Sequence, residues 1–179
     1  MTAATLGAMT LLKEGAMATI PQPGKELDPA GAFRALRLIH MAMSGAVIVY
    51  ALLAAIMLAG GAIPSDGFVG DFAGLHALRA ALWIMAAGCF MGVRTIRSRL
   101  LAPEALRSRD TPLAQRILAW HVVMFALADA MAVLGLLLFI LRGLTGDFLI
   151  LGGAALATLL WLRPSEEDYH ALVRDASRS

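Results

Sequence analysis

The chain has 179 residues, 59% hydrophobic and 16% charged, with a mean hydropathy of +0.74. A soluble domain carries roughly a quarter charged residues, so this composition excludes an ordinary soluble globular domain and points to an integral membrane protein. The net charge of +2 conceals an uneven distribution, and the lone Cys89 excludes a disulfide framework.

The first 33 residues read as a disordered cytoplasmic leader. Their apolar start is broken at Lys13–Glu14, which argues against a signal peptide, and PQPGKELDPAG is rich in chain breakers. Met17, opening MATIPQPG, is an alternative start. Four apolar stretches follow, at Leu36–Ala59, Leu75–Val93, Ile117–Leu141 and Phe148–Leu162. A membrane span needs roughly 20 residues, so the first three are long enough. The fourth is short, and is expected to borrow Leu144 and Thr145 or to sit where the bilayer is locally thin. Thr111–Pro112 reads as the N-cap and first position of the third helix. The short RGLTGD connection makes the third and fourth spans a hairpin. Ser165 with Asp168 resembles a capping box, opening a short amphipathic helix within residues 164–179 whose Tyr169, Leu172 and Val173 share one face.

Orientation follows from the basic residues. Lys13, Lys25, Arg34 and Arg37 precede or enter the first span. Arg94, Arg97, Arg99, Arg107, Arg109 and Arg116 lie between the second and third, and Arg163, Arg174 and Arg178 follow the fourth. Thus 13 of the 15 Lys and Arg fall on one side. The positive-inside rule places both termini in the cytoplasm. The expected fold is all-α: a transmembrane domain over residues 34–163, four helices forming an antiparallel bundle, in a bacterial inner (plasma) membrane. Pairs of small residues, Gly88/Gly92, Ala126/Ala130, Ala128/Ala132 and Gly153/Ala157, mark helix contacts, within the bundle or between copies.

CxxC, Walker A, HExxH and Gly-rich dinucleotide motifs are all missing from the sequence, so soluble-enzyme chemistry has no visible carrier. The outstanding residue is Asp129, with twelve residues of the third span on either side of it. A carboxylate at mid-depth costs at least a few kcal/mol and must be neutralised, paired, hydrated or protonated. Its own helical stripe, Val122, Phe125, Ala126, Ala132, Val133 and Leu136, holds no partner. Arg79, near the outer end of the second span, is a candidate pairing partner from another helix. The segment Ala128–Asp129–Ala130, followed by Gly135–Leu136 and Phe139, resembles the carboxylate helix of the proteolipid ring subunits of rotary ATPases over residues 125–140. The resemblance implies that Asp129 is an ion-carrying carboxyl, with Ala128, Ala130 and Gly135 allowing close helix approach.

His40 and His121 lie at similar depth on the first and third spans, the arrangement a bis-imidazole b-type haem requires, whereas interfacial side chains alone also account for them. His76 has no such counterpart. Met41 and Met43 follow His40, but they point about 200° apart on a helix and read as packing rather than as a Cu(I) site. The Arg-rich loop suits anionic lipid headgroups or an acidic partner. It has no aromatic platform for nucleic acid. Three functions stay open: proton or cation handling through Asp129 in a subunit of a larger membrane assembly, a non-catalytic structural subunit in which Asp129 joins two helices, and a haem-binding subunit.

Overall fold

The computed structural model describes residues 28–61, 68, 74–100 and 112–178. The leader up to residue 27 and the loop positions Arg107, Arg109 and Thr111 lie outside the described residues. The described residues are 90% helical, with no strand among them.

Helix α1 spans Pro29–Ala59. Pro29 stands in its first turn, where a missing N–H costs nothing, so the helix begins inside the expected leader. It stops at Gly60–Gly61, where Gly61 takes the left-handed φ of 62°. Helix α2 spans Leu75–Thr95 and continues as a π turn over Ile96–Leu100. Helix α3 spans Leu113–Arg142. Pro112 is its N-cap, with an extended ψ of 134°, rather than its first helical residue. Gly143, at φ 63°, closes α3 and donates its N–H to the Phe139 carbonyl at 2.7 Å. Helix α4, Thr145–Trp161, starts two residues later and takes in Asp147, which the sequence suggested was loop. Helix α5, Glu166–Arg178, follows a 60° bend after Pro164.

Three helices are long and apolar enough to cross a membrane: α1, α2 with its π turn, and α3, with mean hydropathies of 2.3, 1.4 and 2.5. The fourth candidate is α4, 17 residues long, counted together with α5 across their bend. Large apolar side chains face outward along all four, among them Ile56, Ile84, Leu137 and Ile150. Such a belt is the normal surface of a protein solvated by lipid.

Helix α3 is the hub and touches every other helix. Its apolar window is 44% buried, against 11% for α1 and 17% for α2. The tightest approach is between α3 and α4, where a Cβ on Gly135 would lie 3.0 Å from Leu151 Cβ and 3.3 Å from Phe148 Cα. A Cβ there would force the two helices apart by a few tenths of an ångström. Of the other small residues, Ala128 and Ala132 are buried and Gly92 faces Leu127, while Ala130 is half-buried. Ala126, Gly88, Gly153 and Ala157 face outward instead. Small residues at helical spacing define a face, but not whether lipid or protein covers it.

Helix α5 folds back on the bundle. Tyr169 is buried with its ring 5.5 Å from that of Phe33, and Leu172 and Val173 pack on the same core. That end of the molecule gathers the start of α1, the end of α2 with its arginines, the start of α3 and the end of α4 around one cavity.

Candidate functional site

Asp129 lies where α3 meets α1. The Tyr50 hydroxyl on α1 faces the carboxyl and interacts with it. Asp129 Oδ1 is buried with no hydrogen-bond partner among the described residues. One turn and a half earlier on α1, Ser44 Oγ is likewise buried and without a partner among those residues. A further turn back, the buried His40 donates from Nε2 to the Leu159 carbonyl at 2.9 Å. With Ala32 and Leu36, His40, Ser44, Val47, Tyr50 and Ala54 lie along the more enclosed side of α1, so the polar groups inside its apolar stretch face the bundle. Thr158 on α4 satisfies its own hydroxyl by donating to the Ala154 carbonyl at 2.7 Å.

Arg79 is engaged elsewhere. Its Nη2 donates to Asp147 Oδ1 at 2.8 Å, and its Nε lies 2.7 Å from Oδ2, close enough for an ion pair though outside hydrogen-bond geometry. The Asp147 side chain is 4% exposed and that of Arg79 47%. The expected pairing of Arg79 with Asp129 is thus replaced by one with Asp147, near the start of both helices. Asp147 opens α4, where the positive end of the helix dipole also favours its charge.

Both histidines are engaged by backbone carbonyls. His121 donates from Nδ1 to the Ile117 carbonyl at 2.7 Å, which leaves Nε2 to face a ligand. His40, however, uses Nε2 on Leu159, and both imidazoles pack edge-on against the fully buried Phe125 ring, with centroids 5.3 and 6.2 Å away. Among the described residues no three His, Cys, Asp or Glu side chains group as metal ligands. Met41 is half exposed, and His76 is exposed at the start of α2.

Comparison with protein-family models, curated proteins and solved structures found no match to this chain. The site therefore has to be read from its own geometry.

Sequence reasoning missed three of its members. Tyr50 is one of two tyrosines and the one that falls inside an apolar span, which was a usable signal. Ser44 gave a weaker one. Asp147 was hidden by its glycine-flanked setting, which reads as a turn. At the other end, burial and then the nearby Asp28 carboxylate push the Tyr169 phenol above its ordinary range, so it is a neutral donor near neutral pH. Its hydroxyl has no hydrogen-bond partner among the described residues.

Proposed function

We propose that this protein is a four-span membrane subunit with both termini cytoplasmic, in which Asp129 takes up and releases a proton or small cation for a larger assembly. The observation that carries this reading is the state of one carboxyl: Oδ1 of Asp129 stays buried and without a partner among the described residues, with the Tyr50 hydroxyl the one polar group turned toward the carboxyl from α1. A satisfied structural carboxylate uses both oxygens, and a half-satisfied one inside an apolar bundle is costly unless a proton or ion completes it. The proteolipid-like setting of residues 125–140 points the same way. An antiparallel order is supported by contacts at both ends, because α2 and α4 meet through Arg79–Asp147 at their starts and through Arg97–Trp161 at their ends.

A second reading rests on the Tyr50 hydroxyl facing Asp129, a contact between α1 and α3 that would make Asp129 a structural joint. A hydrophobic carbodiimide, which attacks protonated carboxyls in apolar surroundings, separates the two. Ion handling requires labelling at Asp129 that is full at acidic pH and fades as the carboxyl ionises with rising pH, together with loss of proton-coupled activity of the co-purifying assembly in Asp129→Asn. No labelling at any pH, with an active Asp129→Asn, sinks the proposal and leaves the joint. Orientation is checked separately by thiol labelling of Ser98→Cys and Gly146→Cys in a Cys89→Ala background. Both positions are exposed. Gly146→Cys should react in intact cells and Ser98→Cys only after permeabilisation.

A further inference from the structure

Beneath α5 lies a cavity of about 420 Å³, a size usual for small-ligand sites. Its inner wall is apolar, with Leu36 and Met124, while Arg97 and Arg163 oppose a single lining carboxylate, Asp168. Tyr169, 3% exposed, also lines it and carries the hydroxyl without a partner among the described residues. Arg97 is presented by the π turn that ends α2. It stacks 4.0 Å over the Trp161 ring and donates to the Trp161 carbonyl at 3.4 Å, which uses one of its five N–H donors. Asp28 also stands near the phenol, yet two guanidinium groups and a buried phenolic donor around one chamber are the chemistry that receives a phosphate.

Trp161 joins this cavity to a second space. The groove between α2 and α4, about 600 Å³, is lined by Phe90, Arg94, Ala154, Ala157, Thr158 and again Trp161. It is mostly apolar and opens onto the outward belt, where Leu160 is 59% and Trp161 52% exposed. The outward-facing Ala154 and Ala157 leave it shallow enough for a hydrocarbon chain to lie along it. A polar, cationic chamber and an apolar channel meeting at an interfacial tryptophan match an amphiphile rather than a soluble anion.

We propose that the cavity under α5 seats the phosphate headgroup of one anionic phospholipid, held by Arg97, Arg163 and the Tyr169 hydroxyl, with an acyl chain passing Trp161 into the α2–α4 groove. Helix α5 closes over the headgroup. The proposal rests on the membrane-spanning reading of the helices and is independent of what Asp129 does.

Native mass spectrometry of the full chain in non-ionic detergent, titrated with phosphatidylglycerol or phosphatidylcholine, tests it, with calorimetry against inorganic phosphate as the soluble arm. One phosphatidylglycerol should bind per chain in preference to phosphatidylcholine. Combined Arg97→Gln and Arg163→Gln substitutions should weaken it by about tenfold, the scale of a lost charge-assisted hydrogen bond. Tyr169→Phe keeps the ring packed on Phe33 and removes only the hydroxyl, and should weaken binding by roughly threefold. Arg163→Lys retains the charge and should bind within about twofold of the parent, which checks that the arginine effects are not misfolding. Equal binding of both lipids, or no response to these substitutions in proteins of unchanged helicity, overturns the proposal. So does inorganic phosphate binding with the same dependence on the arginines in the absence of a lipid preference.

Discussion

Two carboxylates enter the bundle of this protein, and they are served in opposite ways. Asp147 is 4% exposed, meets a guanidinium with both oxygens and stands at a helix N-terminus. Asp129 has one phenol and a buried oxygen with no partner among the described residues. The first is a closed electrostatic unit whose charge is balanced where it stands. The second has no such cation among the described residues, although it sits deeper in the apolar run of its helix. Two residues of the same type thus differ in role because of what the neighbouring helices bring to them. A membrane interior makes that difference large, since water does not supply the missing partner.

The comparison can be broken most forcefully at Arg79. Arg79→Gln leaves a buried Asp147 without its cation and should cost about 3 kcal/mol, the low end for a broken buried pair because Arg79 itself is half exposed. Unfolding in detergent measures this loss. A further Asp147→Asn change should recover part of it, and no recovery would deny the closed unit. Gly135→Ala comes next, since its Cβ would meet Leu151 at 3.0 Å, so overpacking of the α3–α4 seam should cost about 1–3 kcal/mol in the same assay. Gly88→Ala is its control, because a Cβ there meets nothing within 4 Å; it should be neutral or mildly stabilising.

Smaller effects sharpen the contrast from the other side. Tyr50→Phe removes the hydroxyl that faces Asp129 and should cost about 1 kcal/mol or less, the net worth of one polar contact. Asp129→Asn keeps an acceptor for Tyr50 and removes a titrating group, so its stability should change by roughly 0.5 kcal/mol or less. Its carbodiimide labelling should vanish all the same, while Asp147 should stay unlabelled wherever Arg79 is retained. Labelling of Asp147 in the parent protein would erase the distinction between the two sites.

Much of the molecule was readable before its structure was known. The edges at Ala59 and Leu75 follow from hydropathy ending where glycine and proline begin, and the face of α5 follows from Tyr169, Leu172 and Val173 at helical spacing. The candidate site was only half readable. Asp129 is conspicuous because charge inside an apolar run is expensive, whereas Tyr50 and Ser44 are unremarkable residues on a different helix. The partner of Arg79 could not be chosen from depth alone. Asp147 seemed to belong to a loop, and the decisive fact is that α4 begins at Thr145.

By itself the sequence determined that the chain is helical and apolar, where its long helices lie, and which end carries the arginines. Those properties depend on local composition measured against lipid and water. Only the tertiary structure decided which faces meet. Helix α3 is apolar on all sides, and lipid is as apolar as a neighbouring helix, so no periodicity marks its contacts. The rotation of each helix about its axis was set by close fits such as Gly135 on Phe148 and Leu151 and by the Arg79–Asp147 pair. That rotation is what leaves Asp129 with Tyr50 and one oxygen unanswered among the described residues.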